Sequence, residues 1–307
     1  MKERTARFFQ SPWALALIVA ALGFVTFTRA NGFPWQYHPD EKTKTSQVME
    51  GTRNLRHPLL LLNTSDVASR LIPVKLDEQT VTRVGRYVSA IFALGAVVAL
   101  ALFARRVEGA LCGWCVGLVA ILNPQLVELA HYFKEDTALL LGWALTALSL
   151  WLSVERRTGA RAACLGAALA VAGSAKYLGF LSLPIAIAVV GWAGRKDTAR
   201  ERWRFAGIAA AVFVALLLAI NFQLLLNLGQ FERSMDYEMY HVVNGQRGVA
   251  GDSTVVRYFT SLPAVFGWPV LIASVVGSLA CIHPARRRYW LLAAFPWLYF
   301  LALSTSP

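Results

Sequence analysis

The sequence has little charge. Only 16% of its 307 residues are Asp, Glu, Lys or Arg, while 56% are hydrophobic and the mean hydropathy is +0.49, a balance that excludes an ordinary soluble domain. Cysteine is also scarce: Cys112, Cys115, Cys164 and Cys281 all fall in apolar runs. "CGWC" has redox-motif spacing but lies in a membrane run, away from any soluble strand–helix junction, so the cysteines are read as buried small residues. No His/Cys set argues for zinc. The glycines of "NGQRGVAG" lack the Gly-Lys-Ser/Thr ending and preceding strand of a phosphate loop. Heptads, periodic repeats and low-complexity tracts are absent. The net charge of +12 raises nucleic acid as a partner. The basic residues, however, flank apolar runs and form no stripe with interleaved aromatics, so anionic headgroups explain them and nucleic acid is excluded.

Apolar runs long enough to cross a bilayer core, about 20 residues each, recur throughout. They predict an all-α polytopic membrane protein with about nine transmembrane helices, at 11–30, 87–104, 110–124, 137–154, 161–175, 177–193, 205–225, 260–282 and 289–304. Segments 1–10, 105–109, 155–160 with Arg161, 194–204 and 283–288 hold more than half of the 30 lysines and arginines. These short connections place the N-terminus in the cytoplasm. The first run resembles a secretory signal with a "TRA" site, but its length favours an uncleaved anchor. The expected location is the inner (cell) membrane.

Two outer segments are too long to be simple connections: 31–86, expected to carry one or two interfacial helices, and 226–259, read as a mobile flap. In the first, Val48, Thr52 and Leu55 recur at helical spacing, as in a helix lying along the membrane surface. Trp35 and Tyr37 suit an interfacial aromatic belt.

Two acids stand out. In "YHPDEKTK" Pro39 takes the first helical position, with Asp40 and Glu41 in the first turn, which is how acids complement a helix dipole. Asp136 in "HYFKEDTALLLGWAL" stands where the fourth run begins, and a helix cap accounts for it equally well. Yet the topology puts both on the outer side, each at a membrane helix end beside a His and a Lys, at the depth of a lipid phosphate. Lys42, Lys44, Lys134 and Lys176 supply cations nearby; Lys176 also reads as a snorkelling end-of-helix anchor. His131 is a candidate to hydrogen-bond Asp136 or substrate, against the alternative of a packed interfacial residue.

"YHPDE", "RHPLLLL", "TRVGRYVSAIFALGAVVALALFARRVEG", "NPQLVELAHYFKEDTALLLGWAL" and "AGSAKYLGFLSLP" follow one another in the order and rough spacing of a known group. Nearly the whole chain resembles the polytopic GT-C glycosyltransferases, especially the protein O-mannosyltransferase and lipid A aminoarabinose transferase branch, called dolichyl-phosphate-mannose mannosyltransferase-like. The resemblance implies one transmembrane domain over 1–307. It departs in stopping at "LALSTSP", where the family usually has further spans and often an outer C-terminal domain; a fragment or short member is therefore expected.

The resemblance also implies roles. Asp40, with Glu41 beside it, and Asp136, with Glu135 beside it, would be the catalytic acids. Lys176 would face the donor phosphate, and His57 matches a recurring position; on residue chemistry alone, Lys134 and Arg247 are further candidates to bind the donor phosphate, and His131, Glu135 and Tyr177 join His57 as candidates to contact substrate. The implied reaction transfers a sugar from a polyprenyl-phosphate donor to a protein, lipid or glycan acceptor on the extracytoplasmic side, with inversion. Phosphate leaves without protonation, so one base suffices, unlike glycoside hydrolysis. No cofactor is required, although oxygen ligands from Asp40 and Asp136 would suit Mg2+ or Mn2+. A transporter or flippase of lipid-linked sugars is the alternative, with the same ionisable residues lining a pathway.

Overall fold

A computed structural model describes residues 8–35, 37–73, 76–194, 197–244, 254–281, 283, 289 and 296–301. Helices account for the secondary structure, and no strand occurs among the described residues. The first is α1 (Pro12–Thr28), started by Ser11, whose hydroxyl accepts from the Ala14 amide, with Pro12 at the first helical position. Two short helices follow, α2 (Pro39–Glu50) and α3 (Leu60–Leu71), as anticipated for the first outer segment. Gly51, at φ +69°, ends α2, so Thr52 and Leu55 lie beyond it. The apparent helical spacing from Val48 to Leu55 is therefore not one helix, although Val48 and Leu55 are both buried.

Next come α4 (Glu78–Glu108), α5 (Ala110–Ile121), α6 (Pro124–Ala130), α7 (Asp136–Glu155) and α8 (Gly159–Ala175). A 3-10 turn (Tyr177–Leu181) precedes α9 (Ser182–Ala193) and α10 (Ala199–Leu226). Within 226–259 lies a helix, α11 (Leu228–Asn244). Gln230 Nε2 donates to the Arg53 carbonyl at 2.7 Å, and Ser234 Oγ to the Asn54 carbonyl at 2.5 Å. The chain continues through α12 (Thr254–Phe266) and α13 (Trp268–Ala280).

By length and composition three described helices can cross a membrane: α4, α7 and α10. Two bent pairs, α5 with α6 at 62° and Thr260–Phe266 with α13 at 109°, raise this to five. Pro12–Thr28, Gly159–Ala175 and Tyr177–Trp192 are shorter apolar helices. The all-α polytopic architecture thus holds, while a count of nine full-length spans does not follow from the helix lengths.

α4 organises the bundle. On one side its Ala90, Ala93, Val97 and Ala101 pack with Leu15, Val19 and Phe27 of α1 and Ile121 of α5; on another, Ala96 and Ala99 meet Ala144 of α7. A second core joins Leu150 of α7 and Leu165 of α8 to Phe205 and Ala209 of α10. Small residues set these crossings, as expected where lipid tails remove the hydrophobic drive between helices. Gly142 faces the Ala172 backbone and Gly166 the Ala209 carbonyl so closely that a Cβ on either would collide with main chain. The cysteines do not fill the core: Cys115 and Cys164 are exposed, Cys112 and Cys281 half-buried, and all four are free.

Toward the N-terminal end of α4, Arg86 and Glu41 form a fully buried ion pair, each side chain 0% exposed. Arg86 Nε and Nη2 each reach a Glu41 oxygen at 2.7 Å. The remaining guanidinium N–H groups donate to the carbonyls of Asn31, Phe33 and Pro34. Glu41 also accepts from the Phe133 amide at 3.2 Å and the His38 amide at 3.4 Å. The five donors of the guanidinium and the lone pairs of the carboxylate are thereby used, which offsets the desolvation of both charges. The result fixes the α1–α2 connection, α2, α4 and the segment before α7 around one point.

Two outcomes follow for stability. Replacing Gly166 by Val should force α8 and α10 apart and cost about 1–3 kcal/mol, seen as a lower thermal midpoint in detergent. Arg86→Leu should cost about 3–5 kcal/mol by leaving Glu41 buried and unpaired. The double change Arg86→Leu with Glu41→Leu should recover part of that loss in the same melt; a double variant no more stable than Arg86→Leu would refute the pairing energetics.

Candidate active site

The stretch "YHPDE" folds as its composition dictates. His38 is the N-cap of α2 and accepts the Asp40 amide on Nδ1 at 3.2 Å, while Glu41 reaches back to the His38 amide in a capping box. Asp40 is thereby placed in the first turn with its carboxylate half exposed, at 47%. The partner segment is held just as firmly. The Phe133 amide is bound to Glu41, and the Lys134 amide and carbonyl both lie 3.3 Å from the Ser89 hydroxyl of α4.

This anchoring puts Lys134 Nζ between the two acids, 3.6 Å from Asp40 Oδ2 and 4.0 Å from Asp136 Oδ2. Asp136, the first residue of α7, is bound by Lys176 Nζ at 2.7 Å. Lys176 sits at the break between α8 and the 3-10 turn with an extended backbone, φ −147° and ψ 152°. Asp40, Lys134, Asp136 and Lys176 thus form an alternating row of charge contributed by three segments, with Lys134 and Asp136 two residues apart in one of them. Lys44, one turn after Asp40 in α2, makes a parallel buried pair with Glu135 at 3.2 Å.

Burial opposes ionisation of Asp40, but Lys44, then Lys134 and His38, outweigh it and hold its carboxyl below the ordinary carboxylate range. Burial likewise works against the Lys176 ammonium, and the Asp136 charge and hydrogen bond overcome it, leaving Lys176 raised. For His38, burial and then Lys134 lower the imidazole below its usual 6.5. The neutral ring suits its role as acceptor of the Asp40 amide.

Asp40, Asp136, Lys134, Glu135 and Lys176 are therefore brought together as anticipated from the sequence. Glu41 is adjacent in sequence yet different in kind: buried, with both oxygens engaged, it is an anchor and has no oxygen to offer a substrate. His131 does not reach Asp136. Its Nδ1 is 2.6 Å from the Val127 carbonyl and Nε2 2.9 Å from that of Arg29, which ties α6 to the end of α1. Tyr177 donates its hydroxyl to the Leu55 carbonyl at 3.2 Å. His57 is half-buried in the bend before α3, and no described ion pair or hydrogen bond joins it to the acids. Arg247 lies outside the described residues.

The Asp40–Asp136 pair does not fit as a metal site. A lysine ammonium stands between the carboxylates, and among the described residues no three His, Cys, Asp or Glu side chains converge on one point. A hard dication needs several converging oxygens.

Three contributors escaped the sequence reading. Arg86 was legible only as a charge at the edge of an apolar run, because that run was started at residue 87 whereas α4 begins at Glu78. Asn221 interrupts α10 with non-helical angles, φ −113° and ψ 23°. Its side chain donates to Ser174 Oγ at 2.7 Å and accepts the Leu59 amide at 2.8 Å, steadying the strand of chain that leads to Lys176; a lone Asn in "LLLAINFQLLL" was its signal. Finally, Phe33, Tyr37, Tyr132 and His38 form an aromatic wall beside Asp40, with Tyr37 and Tyr132 stacked at 6.2 Å and Tyr132 4.7 Å from His38.

Residues 75–220 match the family model described as dolichyl-phosphate-mannose-protein mannosyltransferase. That range includes Arg86, Lys134, Asp136 and Lys176 but not α2 with Asp40. No curated protein matches in sequence. Among solved structures, the chain is similar to one described as the S. cerevisiae protein O-mannosyltransferase Pmt1-Pmt2 complex bound to the sugar donor, with 16% identity and a TM-score of 0.55. The match covers 76% of this chain and 34% of that one, so the chain spans about a third of the yeast protein's length. Residues 75–220, just under half of the chain, thus match the dolichyl-phosphate-mannose-protein mannosyltransferase family model, and the chain's fold is similar to that of the yeast protein.

Proposed function

We propose that the chain is a membrane glycosyltransferase that takes a sugar from a polyprenyl-phosphate donor and delivers it to an acceptor at the extracytoplasmic face of the cell membrane. The observation that carries this reading is the row Asp40–Lys134–Asp136–Lys176 at the ends of membrane helices. It offers an exposed carboxylate beside cations suited to a phosphate. The cations need not come from a metal. A transporter has less support, because this cluster lies at helix ends and not halfway along a span.

In the reaction, an acceptor hydroxyl or amine attacks the anomeric carbon and gives its proton to Asp40. The bond from that carbon to the phosphate oxygen breaks, and its electron pair leaves with the lipid phosphate. Attack from the face opposite the phosphate inverts the centre. Lys134 and Lys176 hold the second negative charge that the phosphate gains, through charge-assisted hydrogen bonds. Asp136 does not act on the sugar; it orients both lysines. Acceptor class and sugar identity depend on pocket contacts beyond this cluster.

The resting arrangement leaves Asp40 a weak base, because its neighbouring cations stabilise the carboxylate. Donor binding corrects this. Lys134, 28% exposed and held only by long contacts of 3.6 and 4.0 Å, moves to the donor phosphate more easily than Lys176, which is hydrogen-bonded at 2.7 Å. Once Lys134 turns, Asp40 loses a stabilising cation and its proton affinity rises just as the acceptor needs a base.

Asp40→Asn should lower transfer from a radiolabelled polyprenyl-phosphate sugar by about 10²–10⁴-fold with only a small drop in melting temperature, since the His38 cap remains and only the Asp40 ion pairs are lost. Full transfer by the variant would remove Asp40 as base. The pH profile carries a second test. In the free enzyme the Asp40 carboxylate persists below the ordinary carboxylate range, so the acid limb of kcat/KM should lie below that range, whereas the limb of kcat should lie higher because Lys134 has moved in the donor complex. The Asp40 ion pairs also add stability above the ordinary carboxylate pKa, a contribution lost as pH falls through the lowered value. Coincident acid limbs for kcat and kcat/KM would contradict the transfer of Lys134.

A further inference from the structure

At the opposite end of α7 from Asp136 the chain forms a cavity of about 490 Å³ between the α7–α8 junction and the start of α10. α7 has 20 residues, which at 1.5 Å per residue is about 30 Å, the thickness of a bilayer hydrocarbon core. The cavity and the Asp40 cluster therefore lie at opposite membrane faces. We infer that this cavity is a headgroup site for an anionic phospholipid of the leaflet opposite the Asp40 cluster.

The argument begins with which charges there are already spent. Three acids line the cavity, and each has a partner. Glu155 is bound by Arg106 at 2.7 Å, Asp197 lies 2.8 Å from Arg157, and Glu201 accepts from the Thr198 amide and hydroxyl in a capping box. The lining cations Arg156 and Arg204 are exposed, and among the described residues neither side chain has an acid or hydrogen-bond partner. Thr198 is neutral and leaves the Glu201 charge in place, so two unpaired guanidinium groups face one such carboxylate; the cavity stays net cationic, and the planar guanidinium forks match a phosphate.

The other walls narrow the ligand further. Val154, Phe205 and Ile208 line the same space, so a cationic mouth adjoins an apolar side. This is the polarity profile of a phosphodiester with its glycerol and the first carbons of its acyl chains. Trp203, next to Arg204, is 77% exposed. An exposed Trp at the end of a membrane helix marks the headgroup level. A soluble phosphate would use the arginines but gain nothing from the apolar wall.

The full chain, purified in detergent, should be mixed with phosphatidylglycerol or phosphatidylcholine and the retained lipid counted by native mass spectrometry. One phosphatidylglycerol per chain should be retained in preference to phosphatidylcholine. At about fivefold per arginine, the double change Arg156→Gln/Arg204→Gln should weaken that lipid by about 25-fold, with each single change giving an intermediate loss. The matched control, Arg200→Gln/Arg202→Gln, removes two exposed arginines of the same helix that do not line the cavity and should leave retention unchanged. Equal retention of both lipids, an unaffected cavity variant, or an equal loss in the control would overturn the site. Glycerol 3-phosphate should not displace the lipid; if it binds alone with the same arginine dependence, the site takes a soluble phosphate and the lipid assignment fails.

Discussion

The buried pair of Glu41 and Arg86 is the constraint on which the Asp40 end of the molecule depends. An isolated charge at that depth is prohibitive, and even a pair is tolerated only when its remaining hydrogen-bonding capacity is met. Here Arg86 consumes the carbonyls of Asn31, Phe33 and Pro34, while Glu41 consumes the amides of His38 and Phe133. Segments far apart in sequence can satisfy these groups only by meeting at one place. Asp40 is the residue before Glu41, and Lys134 the residue after Phe133. Each is therefore delivered to the site one peptide away from a buried anchor, which limits how far either can stray.

The cluster built on that anchor is internally neutralised. Asp40, Glu135 and Asp136 face Lys44, Lys134 and Lys176, in pairs whose lengths run from 2.7 to 4.0 Å. Such a network holds its geometry without ligand, yet it favours an anionic visitor, because a phosphate can take over a lysine from a carboxylate at little net electrostatic cost. The loosest contacts in the row are those of Lys134. Preorganisation and responsiveness thus reside in different members of the same row: Lys176 is held by a short bond next to a steadied helix end, whereas Lys134 spans two acids and is committed to neither.

Much of the architecture was legible in the sequence because membrane helices announce themselves by length and apolarity. Pro39, Asp40 and Glu41 were readable as a helix start, and the sidedness of basic residues grouped Asp40 with Asp136. What remained hidden follows from two physical limits. Periodicity alone does not show where an irregular backbone intervenes, so Gly51 ended α2 before Leu55, and the 226–259 segment concealed α11. Sequence spacing also does not distinguish a carboxylate that faces substrate from one that faces an arginine. Glu41 and Asp40 are neighbours of the same chemistry, and only burial against Arg86 separates the enclosed anchor from the half-exposed carboxylate. His131 was misassigned for the same reason, since carbonyls of Val127 and Arg29, invisible as partners in sequence, claim both its nitrogens.

The interruption of α10 at Asn221 completes the logic of the site. An unbroken helix would satisfy its own carbonyls and offer nothing to its neighbours. With non-helical angles at Asn221, the Ile220 carbonyl accepts from Asn63 Nδ2 at 2.9 Å, while the Asn221 side chain bridges the Leu59 amide and Ser174. Polar groups freed within an apolar helix must find partners in protein, and those found here lie on α3 and at the end of α8, two residues before Lys176. A local defect in one membrane helix thereby couples the first outer segment to the lysine opposite Asp136. The same economy governs Glu41 and Arg86: in this fold, polar groups that cannot be exposed to lipid are spent on holding the half-exposed charged row in register.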